Sequence, residues 1–147
     1  MVSSPVVKQV ERFDVTGFSV KTQNKDEFNT NTAQLPNLWQ QFYASDLGSN
    51  TCVYGVYSHY DSDASGFYQV TAGVKSFHPA AGLSTVTVQE GSYLVFQGSG
   101  PIPAAVVDTW KKIWEFFATH AEFQRNFISD FELYSGFNQV AIYIGLK

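Results

Sequence analysis

A carboxylate sits where the chain otherwise reads as a buried strand, at Glu132 within Asp130-Phe131-Glu132-Leu133-Tyr134. Strand alternation puts Phe131 and Leu133 on one face and Glu132 and Tyr134 on the other. Around this stretch the chain is rich in rings, with 13 Phe, 8 Tyr and 3 Trp in 147 residues. A carboxylate set among aromatic walls makes a pocket for organic cations. The carboxylate supplies opposite charge, and ring faces supply cation–π attraction and apolar contact. In an empty apolar pocket such a group is expected to show a raised pKa or to keep hydrogen bonds from tyrosine hydroxyls.

Other chemistries find less support. His59, His78 and His120 lack metal-ligand spacing and no paired cysteine accompanies them, so neither metal nor cofactor is expected. No Gly-x-Ser-x-Gly elbow occurs. Gly98-Ser99-Gly100 reads as a turn, because Gln97 and Pro101 do not complete a phosphate-binding loop. Cys52 is the sole cysteine, which excludes an internal disulfide; it reads as a buried structural thiol in a cytoplasmic protein. Met1-Val2-Ser3-Ser4-Pro5 lacks the charged and apolar regions of a signal peptide, and no apolar run has the length of a membrane span.

Composition agrees with one globular domain: 44% of residues are hydrophobic and 15% charged. The formal net charge is −4, and only Lys111-Lys112 bring two basic residues together. That pattern excludes a nucleic-acid footprint and gives weak preference for cationic partners.

The elements that must position Glu132 read as follows. Val6 to Lys21 is extended, with a bulge or bend at Gly17. Thr22 to Thr32 is a polar loop with room for one helical turn. Pro36 opens a helix in which Leu38, Trp39, Phe42 and Tyr43 recur at helical spacing, and Gly48 marks its exit. Cys52 to Tyr60 and Phe67 to Ser76 form a hairpin about Asp61-Gly66. Phe77 to Leu83 is the linker between halves. Ser84 to Val88 and Ser92 to Gln97 are strands. Pro103 to Phe117 is the strongest helix, with Val106, Trp110, Ile113, Trp114 and Phe117 on one apolar stripe. Phe131 to Ser135 and Gln139 to Leu146 close the chain as a hairpin about Gly136.

The halves echo each other. Leu38-Trp39-Gln40-Gln41-Phe42 matches Ile113-Trp114-Glu115-Phe116-Phe117, and Gln69-Val70 matches Gln139-Val140. Each half reads strand, helix, strand, strand. Two such modules, residues 1–78 and 83–147, predict an α+β domain with one antiparallel sheet, two main helices and a central pocket at a pseudo-twofold axis. In this alignment Glu132 takes the place of Gly55, so the duplication offers room on one side of the axis and charge on the other.

These residues resemble a known family. The stretches that carry the likeness are Phe13-Asp14-Val15-Thr16-Gly17-Phe18, Leu38-Trp39-Gln40-Gln41-Phe42, Val53-Tyr54-Gly55-Val56-Tyr57, Val95-Phe96, Trp110 with Ile113-Trp114, Asp130 to Tyr134, and Val140-Ala141-Ile142-Tyr143-Ile144. In that order and spacing, over nearly the whole chain, they resemble the GyrI-like small-molecule-binding domain. Its members include effector domains of AraC- and MerR-type multidrug regulators and stand-alone integron-associated effector-binding proteins. The resemblance implies a pocket for hydrophobic, often cationic molecules. It maps the family's glutamate onto Glu132 and the aromatic of its final strand onto Tyr143. Tyr134, Tyr54, Tyr57, Phe96, Trp39, Trp110 and Trp114 complete the expected ligand-binding set.

The family's regulators carry a separate DNA-binding domain. Once both modules are assigned here, no residues remain for a helix-turn-helix. Direct contact with nucleic acid is therefore not expected, and a DNA-binding partner protein or simple ligand sequestration takes its place. Two other readings stay open. Glu132 with a neighbouring tyrosine has the parts of an acid/base pair for hydrolysis. A protein-binding role, as in relatives that act on gyrase, is the third.

Overall fold

The computed structural model describes residues 5–49, 52–63, 65–75 and 82–147. The predicted linker Phe77–Leu83 falls outside them, apart from Gly82 and Leu83. In chain order the elements are β1 (Val6–Val10), β2 (Phe13–Gln23), α1 (Asn24–Glu27), α2 (Leu35–Ala44), β3 (Val53–Ser58), β4 (Phe67–Lys75), β5 (Ser84–Val88), β6 (Gly91–Ser99), α3 (Ala104–Thr119), β7 (Arg125–Gly136) and β8 (Gln139–Leu146). A 3₁₀ turn, Asp46–Ser49, follows α2. Among the described residues the eight strands form one antiparallel sheet in the order β1-β6-β8-β7-β3-β4-β2-β5. The architecture is α+β, as the residues predicted.

That order is its own mirror under the duplication. The central pair is β3 with β7, and Gly55 lies directly opposite Glu132. Moving outward, β4 matches β8 and β2 matches β6. Each outer edge is then covered by the leading strand of the other half: β1 pairs with β6, and β5 pairs with β2. The single extended stretch read over Val6 to Lys21 is thus two strands on opposite sides of the sheet. The break falls at Glu11-Arg12, a charged exposed pair with no Gly or Pro to announce it.

Gly17 causes no bulge. The β2–β4 register runs unbroken from Val15 to Gln23, with Gly17 opposite Gly73. The residue is needed for close approach instead, because a Cβ at Gly17 would lie 1.9 Å from the Ala72 carbonyl oxygen. Gly48 likewise sits inside the 3₁₀ turn rather than at the helix exit, where a Cβ would come 2.8 Å from Tyr43 Cα. Cys52 is exposed ahead of β3, so it is not the buried thiol expected.

Alternation divides the apolar side chains between two faces of the sheet. One face carries α2 and α3. Under α2 pack Leu38, Phe42, Val53, Tyr57 and Val70; under α3 pack Leu94, Phe96, Ile113, Val140, Ile142 and Ile144. Gly98 lets α3 settle, since a Cβ there would lie 2.1 Å from Thr109 Oγ1. The other face carries Val15, Tyr54, Val56, Val86, Val88 and Phe131, and no helix among the described residues covers it. The sheet curls instead, bringing β5 against β3 and β7. The Gln89 amide just beyond β5 then donates to Ser129 Oγ on β7.

Candidate functional site

The groove between α2 and α3 lies over the central β3–β7 pair and encloses a cavity of about 580 Å³. Leu35, Pro36, Trp39 and Tyr43 of α2 form one wall, and Val106, Val107, Trp110 and Trp114 of α3 form the other. Val106, Trp110 and Trp114 recur every four residues, which puts them on one helical face. The apolar stripe read on α3 is therefore two surfaces. Ile113 and Phe117 belong to the core, and the Trp110 line belongs to the cavity.

Glu132 lies in the cavity floor and is 2% exposed. Three donors from three elements hold its carboxylate. Tyr57 Oη on β3 donates to Oε2 at 2.9 Å, Trp110 Nε1 on α3 to Oε2 at 2.7 Å, and Tyr134 Oη on β7 to Oε1 at 2.6 Å. None of the three carries positive charge. Burial pushes the Glu132 carboxyl above the ordinary glutamate value, and the three donors pull it part of the way back. Burial also drives the Tyr57 and Tyr134 phenols well above their usual value, and the adjacent Glu132 charge adds to both shifts. They remain neutral donors at any ordinary pH.

Room for this arrangement comes from Gly55. A Cβ there would lie 3.0 Å from Glu132 Oε1 and 3.0 Å from Trp39 Cζ2. The pseudo-twofold axis thus pairs a glycine with the one carboxylate that uses its space. Trp39 fixes the ring wall above, edge-on to Tyr134 with centroids 5.5 Å apart.

A second polar group enters the wall at Arg125. Its Nη2 donates to Asp130 at 2.7 Å, and the two side chains are 8% and 0% exposed. Tyr60 also donates to Asp130, and the Gly145 amide donates to the same carboxylate at 2.8 Å. Among other cavity residues, Glu27 accepts from the Gln34 and Leu35 amides at 2.9 and 3.1 Å. It thereby caps the start of α2 and holds the α1 segment beside the mouth.

Of the nine residues expected at the site, Glu132, Tyr134, Tyr57, Trp39, Trp110 and Trp114 line the cavity. Three do not. Tyr143 pairs with Phe131 across β7–β8 and stacks on its ring at 4.3 Å, on the face away from Glu132. Tyr54 is out of phase with Tyr57 and packs with Phe13 and Phe131 on that same far face. Phe96 is on the helical side but is sealed beneath Phe116 and Phe117. Among the residues missed were Arg125, Tyr60 and Tyr68. Tyr60 closes the strand expected over Cys52 to Tyr60, where alternation sets it on the face away from Tyr57; β3 instead ends at Ser58, and the positive φ of 52° at His59 breaks that alternation. Arg125 lies between Phe117 and Phe131, where no strand was expected, yet β7 begins there and shifts register before Asp130. Among the described residues no three His, Cys, Asp or Glu side chains gather into a metal site, and no helix is long and apolar enough to cross a membrane.

Two symmetric halves around one axial cavity are the form of an effector-binding domain. The chain belongs to the Cass2 family, the integron-associated effector binding proteins, whose family model matches residues 7–146. An integron cassette protein from the mobile metagenome of Vibrio cholerae is similar in structure, with a TM-score of 0.93 and 34% identity over 99% of this chain and 97% of that one. YobU of Bacillus subtilis (strain 168), whose name assigns it provisionally to transcriptional regulation, is 28% identical over 89% of this chain and 90% of its own. The structure of SAV2435 bound to tetraphenylphosphonium shares the fold, with a TM-score of 0.75 and 18% identity over 99% of this chain and 94% of that one.

Proposed function

We propose that this protein binds hydrophobic organic cations of aromatic character, with Glu132 as their counter-charge. The observation that carries the reading is a buried carboxylate held by three neutral donors, without a cation among its hydrogen-bond partners, in an aromatic cavity. An ionised carboxylate in that setting is costly. A guest cation removes the cost, and Trp39, Trp110, Tyr57 and Tyr134 offer ring faces worth about 0.5–2 kcal/mol per good cation–π contact.

The donors fill three of the roughly four lone-pair positions of the carboxylate. Little remains for a directed contact, so attraction rests on charge and apolar area rather than on a ligand's outline. Broad selection among greasy cations follows. The tetraphenylphosphonium seen with SAV2435 is a guest of this kind. In this reading the bound cation is sequestered, or its presence is passed on through a DNA-binding partner protein.

The test is calorimetric titration of tetraphenylphosphonium and of a neutral triarylmethane of similar size against the wild type and Glu132→Gln. The cation is expected to lose about tenfold to a hundredfold in affinity, the range for a lost interaction with a charged group. The neutral compound should change by less than about twofold. Equal losses for both ligands would reject the charge argument. Recovery of a chemically altered ligand would instead make Glu132 part of a hydrolase.

A further inference from the structure

We infer that the cavity has a second polar pole at Arg125, which takes a neutral hydrogen-bond acceptor carried by the ligand at a distance from its cationic centre. This rests on the cation reading above and narrows the ligand class. Arg125 lines the same cavity as Glu132. Its guanidinium lies 5.9 Å from the Trp110 ring centroid and 4.5 Å from that of Phe127. Trp110 therefore stands between the poles, with its Nε1 edge given to Glu132 and a ring face toward Arg125.

The guanidinium is under-used. Among the described residues its hydrogen bonds leave from Nη2, to Asp130 and to Tyr60; Nε is sealed inside the wall, while Nη1 has no partner and keeps accessible surface. A planar fork with five donors and a side chain 8% exposed ordinarily satisfies more of them. A ligand acceptor that reaches Nη1 at this wall supplies one of the missing partners.

Charge decides which acceptor. Asp130 already neutralises Arg125 at 2.7 Å. A carboxylate or phosphate guest would add an anion beside Asp130 and Glu132, with no spare cation to meet it. A ketone, ether or amide oxygen brings the lone pair without the charge. The favoured ligand is thus a lipophilic monocation with one such oxygen on a short arm.

The probes are pentyltriphenylphosphonium and 4-oxopentyltriphenylphosphonium, together with neutral triarylmethanes bearing the same two arms, all titrated calorimetrically. The ketone is expected to bind the wild type about three- to tenfold tighter than its alkyl partner, the share of one hydrogen bond. In the double variant Arg125→Met/Asp130→Asn that preference should vanish, whatever change in affinity the two cations share. The asparagine side chain in that variant retains an acceptor for the Gly145 amide. If the double variant does not fold, Arg125→Lys decides, because it keeps Asp130 paired but lacks the planar fork that presents Nη1, so the preference must shrink.

Cations that bind equally with and without the ketone overturn the second pole and leave the role of Glu132 standing. A ketone preference that survives both variants does the same. Neutral compounds that bind as tightly as cations sink the charge reading, whatever the ketone does. Absence of binding by every probe overturns both.

Discussion

Asp130 and Glu132 lie two residues apart on one strand, on one face, and both are buried. Their surroundings differ in one respect. Asp130 meets a guanidinium, a phenol and a backbone amide. Glu132 meets two phenols and an indole. The first carboxylate has its counterion built into the fold. The second has hydrogen bonds but no opposite charge. A buried charge that the chain itself neutralises is architecture; one that it only solvates is an invitation to a guest.

The largest effect should come from breaking the first arrangement. Arg125→Met leaves Asp130 buried and unpaired, and should cost about 3–5 kcal/mol in urea unfolding. Glu132→Gln removes a charge that has no partner and should change stability by less than about 1 kcal/mol, because glutamine still accepts from Tyr57 or Tyr134. Comparable losses in the two variants would erase the distinction between the carboxylates.

Acidity sharpens the contrast next. The folded protein holds the Glu132 proton more tightly than the unfolded chain does, since burial raises its pKa. This contribution to stability is therefore fully present below the ordinary glutamate value. It is lost as pH rises through the higher folded value. Urea unfolding from about pH 4 upward should show that decline in the wild type, and its slope should be smaller in Glu132→Gln. Saturating tetraphenylphosphonium should flatten it, because the cation favours the ionised form. By the same linkage, cation affinity should rise over this window while a neutral ligand shows no trend. A cation whose affinity is flat across that range would mean that Glu132 keeps one protonation state throughout.

How much of this was legible follows from which signals are local. Glu132 announces itself because a carboxylate in an apolar strand is an anomaly wherever the strand lies. The duplication shows in Trp39 and Trp114 and in the paired Gln-Val openings. It makes Gly55 the equivalent of Glu132, and the β3–β7 register sets the two directly opposite each other. The exchange of edge strands was not legible. Val6–Val10 and Ser84–Val88 are short runs that fit any sheet edge, and only the closed sheet assigns each to the far half. Nor does an apolar stripe say whether it faces protein or empty space. Ile113 and Trp114 are neighbours in sequence, yet one is core and the other cavity wall. Arg125 was hidden by the register shift before Asp130 and by the positive φ of 53° at Phe127, which together break the alternation that reveals facing.

The axial pair separates space from charge. Gly55→Val would place methyl groups where Trp39 and the Glu132 carboxylate now lie 3.0 Å from a bare Cβ position. The cost should be about 1–3 kcal/mol of stability, as for other overpacked sites. Both cationic and neutral ligands should weaken by similar factors, because the cavity shrinks and its charge remains. A selective loss of cations in Gly55→Val would show that the glycine serves the carboxylate's position rather than the cavity's volume.

Tyr143 supplies the smallest effect and the cleanest control. The family likeness pointed to it as a ligand contact, yet its register opposite Phe131 commits it to the face without helices. Tyr143→Leu should forfeit the stacked pair at 4.3 Å and cost about 0.5–1.5 kcal/mol in thermal or urea unfolding. Affinity for tetraphenylphosphonium should stay within about twofold, since the sheet backbone lies between this ring and the cavity floor. Tyr134→Phe makes the matching change on the cavity face, removing a donor to Glu132 and leaving the ring. It should alter cation affinity while costing no more stability than Tyr143→Leu. If the two variants exchange these phenotypes, β7 is out of phase by one residue, and Glu132 would then point away from the cavity together with every role assigned to it.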